Sequence, residues 1–159
     1  MNKDIVLTEL QIDEIKKTAD KERRKFGIID APIAGDLFML LEQEGIAICQ
    51  YPFLTSEKSH TDANITRFET GSDQMIFIGL NTAIYYDEQI FALAHELYHY
   101  ITQTGKAYET DMDEEDKRTE KMADRFAAEL LLPSEILNHM IIEQFKTSCL
   151  KKVSDLRLL

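Results

Sequence analysis

The spacing of apolar positions changes character twice along the chain, dividing it into helices, a short run of strands, and helices again. Thr8 followed by Gln11 has the form of a capping box. Leu10, Ile12, Ile15 and Ala19 then recur at helical intervals, so a first helix is expected through about Phe26. After a break at "GIIDAP", Pro32 suits a first helical turn. "IAGDLFMLLEQE" carries a second helix to Gly45, a residue suited to the position just past a helix end. "IAICQYPF" reads as a short strand ended by Pro52, "LTSEKSHTDA" as a loop, "NITRFET" as a strand and "GSD" as a turn into the strand "QMIFIGLN". Three such strands suggest a small antiparallel or mixed sheet.

The rest is helical in pattern. One helix is expected from about Asp87 to Thr104, stopped by Gly105. The acidic stretch "ETDMDEED" reads as a solvated loop, followed by a helix from about Lys117 to Leu132 that Pro133 ends. Ser134 is then expected to cap a last helix reaching about Phe145. The fold class is α+β in one domain spanning 1–159, with 146–159 as a tail.

Within the 87–104 helix, "FALAHELYHYI" places His95, Glu96 and His99 in an otherwise apolar segment. At about 100° per residue, Ile90, Ala94, Leu97 and Ile101 fall in one arc, flanked by Leu93 and Tyr98, and form the core stripe. The three polar residues cluster on roughly the opposite side, with the small Ala92 among them. A helix with a wet polar side would explain a lone histidine there. The complete H-E-x-x-H pentapeptide points instead to a metal site, because histidines at i and i+4 can direct both imidazoles at one ion. A glutamate directly after the first histidine is rotated away from that axis and can face a water on the metal. On a helix, this is the pattern of a metallopeptidase.

A catalytic zinc needs a third protein ligand and an open position. The candidates are acids of the next helix, "RTEKMADRFAAELLLP". Glu120, Asp124, Ala127 and Leu131 share one face, Met122, Phe126 and Leu130 line an apolar stripe, and Ala123, Ala127 and Ala128 allow close approach of the two helices. Glu120 is the favoured third ligand over Asp124, Glu115 or Asp116. Asp124, one turn on, can accept a hydrogen bond from the far nitrogen of a ligating histidine. His60, Tyr98, Tyr100 and His139 are possible further donors toward a developing oxyanion and stay outside the assigned set.

"HELYH" followed by "EKMADRFAAELLLP" resembles the ImmA/IrrE family of zinc metallopeptidases, whose pattern is HExxH and then E-x-x-A-N-x-F-A-x-x-L-L-x-P. The second motif matches at Glu120, Ala123, Phe126, Ala127, Leu130, Leu131 and Pro133, and the resemblance covers about residues 28–133. Asp124 stands where the family usually has asparagine. It too can accept a hydrogen bond, and the Glu-x-x-x-Asp spacing resembles that of gluzincin peptidases. The resemblance implies a zincin-like fold and Zn²⁺ held by His95, His99 and Glu120, with Glu96 as general base. It also implies a role cutting a helix-turn-helix repressor of a bacterial mobile element or stress system.

Composition narrows the remaining choices. The chain has 44% hydrophobic and 30% charged residues, typical of a globular protein, and no apolar run nears the roughly 20 residues of a membrane span. "MNKDIVLTELQ" lacks the apolar core of a signal peptide. Cys49 and Cys149 have no metal-like or redox-like spacing and read as ordinary thiols of a reducing compartment. A cytoplasmic protein is expected. The net charge of −11 repels phosphate backbones and disfavours a DNA-binding regulator, while favouring a basic protein partner. An alternative of another class is a non-catalytic module, braced by zinc, that sequesters a basic regulator.

Overall fold

The computed structural model describes residues 5–53, 61–70, 73–104 and 113–145. Among them the chain forms five helices and a three-stranded sheet in the order α1 (Glu9–Lys25), α2 (Asp36–Gln43), β1 (Ile46–Tyr51), β2 (Ala63–Thr70), β3 (Asp73–Asn81), α3 (Tyr86–Thr102), α4 (Glu114–Leu131) and α5 (Ser134–Phe145). It is a small α+β fold, as the sequence implies. No helix among the described residues is long and apolar enough to cross a membrane.

α1 begins at the expected capping box: Gln11 N–H donates to the Thr8 hydroxyl, and the Gln11 side chain accepts the Thr8 amide at 2.9 Å. α2 starts later than Pro32 suggests, at Asp36. Tertiary contacts claim the backbone before it. Ile33 N–H donates to Leu131 O at 2.8 Å, and the Arg23 guanidinium donates to the carbonyls of Ile29, Ala31 and Leu130. Arg23 is itself buried, and that burial lowers its pKa. It ties α1 and the 29–31 segment to the end of α4. Gly45, at φ +80°, turns the chain from α2 into β1.

The sheet is mixed, in the order β1-β3-β2, with β3 parallel to β1 and antiparallel to β2. Ile46, Ala63, Ile76, Ile78 and Leu80 are buried on one face, while Met75 and Phe68 are exposed on the other. The turn expected at "GSD" and the loop at "LTSEKSHTDA" lie largely outside the described residues. α3 packs on β2 and β3 and also on α4, and α4 packs in turn on α1. α3 is therefore enclosed on two sides.

α4 begins at Glu114, three residues before the expected start. Asp113 caps it by accepting Asp116 N–H at 2.8 Å, and Glu114, Glu115 and Asp116 place negative charge at the positive end of the helix dipole. Residues 113–116 of the acidic stretch are thus a cap and first turn rather than loop; 109–112 lie outside the described residues. Phe126, Ala123, Ala127 and Leu130 are fully buried on α4, while Ala128 is exposed. Ser134 does not act as the cap of α5. It is the first helical residue, and its amide and hydroxyl donate to the buried Glu129 carboxylate at 3.0 and 2.6 Å.

Candidate metal centre

α3 and α4 bring the sequence-predicted residues together. His95 Nε2 lies 3.1 Å from Glu120 Oε2, His99 Nε2 lies 3.4 Å from Glu120 Oε1, and the two Nε2 atoms are 3.1 Å apart. One ligand atom from each of His95, His99 and Glu120 falls within 4.8 Å of the others, a group that could hold a metal ion. Asp124 Oδ1 stands 3.0 Å from His95 Nδ1, on the far side of the ring. His95 thus reaches Asp124 and Glu120 while His99 reaches Glu120, so the two helices run in opposite directions. Glu115 and Asp116 are in the first turn of α4, outside this group.

The helical wheel puts this cluster opposite the core, and the structure encloses that face as well. His99 is 3% exposed, Ala92 7% and Glu96 9%. Three positions of that face are therefore out of solvent, while His95 and Glu120 are partly exposed and Asp124 is exposed. The small side chains of Ala123 and Ala127 allow the contact, and Tyr98 packs its ring on Phe126 at 5.4 Å. Tyr98 is therefore committed to the core. Tyr100 is half-buried against it, His139 is exposed on α5, and His60 lies outside the described residues.

Charge at the site follows from this enclosure. Burial pulls the His95 pKa down, but hydrogen bonds to Asp124 and Glu120 outweigh it and raise the value to about 9. Glu120 is lowered to about 2, chiefly by the two histidines beside it, His95 first and then His99. Burial pushes Glu96 up, against the lowering effect of His99, His95 and a hydrogen bond from the Ile65 amide. Two imidazoles and a carboxylate converging at a partly buried point suit a divalent cation, and the nitrogen and oxygen donors fit zinc chemistry.

Sequence reasoning did not single out two residues beside the site. Arg67 of β2 donates from Nη2 to His99 O at 2.7 Å, placing positive charge at the carbonyl end of α3. With the Ile65 amide on Glu96, it fastens the edge strand β2 to the metal helix. Thr104 Oγ1 lies 3.1 Å from His99 Nδ1. The alternation of β2 puts Arg67 on the same face as Ile65, a signal that was available. Thr104 carries no such signal, because its position depends on how α3 ends.

That ending differs from expectation. α3 stops at Thr102 and Gln103 takes a left-handed turn at φ 55°; Gly105, the expected stop, lies outside the described residues. Thr104 N–H returns to His99 O at 3.1 Å and Gln103 N–H to Tyr100 O at 3.4 Å, which closes a Schellman turn and sets Thr104 beside His99.

Comparison with protein families matches residues 41–151 to Peptidase M78, the IrrE N-terminal-like domain. The chain belongs to this family. A search of curated proteins finds no match to it. The matched region contains His95, Glu96, His99, Glu120 and Asp124, and membership indicates a metallopeptidase-type protein.

Proposed function

We propose that the protein is a zinc-dependent endopeptidase in which His95, His99 and Glu120 hold the ion and Glu96 is the general base. The observation that carries this reading is the meeting of those three ligand groups at one point, with the buried Glu96 beside them. Zinc held there supplies Lewis acidity, making a water nucleophilic near neutral pH and polarising the scissile carbonyl. Glu96 takes the proton of the attacking water and delivers it to the leaving amine. Its raised pKa favours both steps, since a general base works best when its pKa approaches the operating pH. Asp124 holds the His95 ring through Nδ1, so that Nε2 would be the nitrogen available to hold the ion. β2 is an edge strand beside α3, alongside which an extended peptide can lie.

The substrate we propose is a basic helix-turn-helix repressor of a mobile element or stress system, met in the cytoplasm. Two things support it: the family resemblance and the net charge of −11, which attracts a basic partner. The test incubates the full zinc-loaded chain with a purified repressor of that kind. Fragments that disappear with EDTA are expected, and Glu96→Gln should retain zinc while cutting roughly 10²–10⁴-fold more slowly. A Glu96→Gln variant that cuts at the wild-type rate would remove Glu96 from the mechanism.

A further inference from the structure

We infer that Thr104, backed by Thr102, is a positioning residue that keeps the His99 ring proton on Nδ1 and presents the Nε2 lone pair to the metal. The inference rests on the metal-centre reading given above. It comes from following protons along a chain of hydroxyls at the end of α3.

The Thr102 hydroxyl lies 2.8 Å from Tyr98 O. A carbonyl only accepts, so the single Thr102 proton is committed to it. Thr104 Oγ1 is 2.6 Å from Thr102 Oγ1. With the Thr102 proton already used, only the Thr104 proton can lie between those two oxygens. The Thr104 oxygen therefore has no proton left for His99. It must accept, and the partner 3.1 Å away, His99 Nδ1, must be the donor. The reverse assignment would leave two hydroxyl oxygens 2.6 Å apart with no proton between them.

With the ring proton held on Nδ1, His99 Nε2 keeps its lone pair, which is what a metal ion requires. Different groups hold the two rings at Nδ1: a carboxylate on the neighbouring helix meets His95, and a hydroxyl relay folded back by the left-handed Gln103 meets His99.

The test uses the full metal-free chain, labelled with ¹⁵N at histidine, and reads the His99 tautomer by NMR at a pH where the ring is neutral. Zinc affinity is measured in parallel by competition with a chelator. Wild type should show a protonated Nδ1. Thr104→Val, similar in shape but without the hydroxyl, should lose that preference and bind zinc roughly 10–100-fold more weakly. Thr104→Ser should restore both. Thr102→Val leaves Thr104 in place but frees its proton to point at His99, so the Nε2-protonated form should appear and zinc affinity should fall. A structural role at the helix end would move unfolding temperature without moving the tautomer. A wild-type His99 protonated on Nε2, or a Thr104→Val variant that keeps both tautomer and affinity, would overturn the inference. A chain with Nδ1-protonated His99 that binds no zinc would support the tautomer assignment and defeat the metal-centre reading.

Discussion

In the metal-free protein a proton competes with the metal for His95, and the structure sets the strength of that competition. Burial alone would lower the His95 pKa from 6.5; the hydrogen bonds to Asp124 and Glu120, aided by the charges of Glu120 and Glu96, instead raise it to about 9. At about pH 7 zinc must displace this proton. The gap of roughly two pH units weakens apparent binding about 100-fold relative to the plateau above pH 9. Zinc affinity should therefore rise about tenfold per pH unit between 7 and 9 and then level off. Competition titration against a chelator of known pH dependence measures the slope, and calorimetry in two buffers of different ionisation enthalpy counts the proton released. Asp124→Asn removes the charge facing Nδ1, so its plateau should begin at lower pH. An affinity that is flat between pH 7 and 9, with no proton released, would refute the argument. The same shift has a fixed sign in folding of the metal-free chain. His95 stabilises it fully below about 6.5, and the contribution is lost as pH rises through about 9.

Three further outcomes follow from named contacts. His95→Ala should abolish stoichiometric zinc, by metal analysis of the purified protein; one zinc retained per chain would remove His95 from the ligand set. Arg23→Met leaves the buried carbonyl of Leu130, and the part-buried carbonyls of Ile29 and Ala31, without their donor, and one unpaired buried acceptor costs about 1–3 kcal/mol. A large fall in the urea midpoint is expected, and an unchanged midpoint would show that the latch contributes nothing. Phe126→Ala empties a fully buried position against Tyr98 and should cost about 3–5 kcal/mol, read by the same unfolding curve.

Much of this site was legible because its geometry is local. The four-residue spacing of His95 and His99 fixes their mutual distance on any helix, and the same spacing sets Glu120 against Asp124 on the next one. Apolar periodicity located α1, α3 and α4 because each buries a stripe. What stayed hidden depends on contacts distant in sequence. The start of α2 is decided by Arg23 and Leu131, not by Pro32. The start of α4 depends on Asp113 and its dipole partners, which look in sequence like any solvated acidic run. Burial of the His99 face could not be read from one wheel, since it needs α4 to lie across it. Thr104 reaches His99 only because Gln103 adopts a left-handed conformation that the neighbouring Gly105 would more ordinarily supply.

The most direct measurement is zinc-edge X-ray absorption on the loaded wild-type chain, compared with Glu120→Ala. The account predicts two imidazole nitrogens, one carboxylate and one oxygen that exchanges with solvent, with the carboxylate missing in the variant. A shell of four protein ligands with nothing exchangeable, or a spectrum unchanged by Glu120→Ala, would contradict it and point to zinc that only braces the helices.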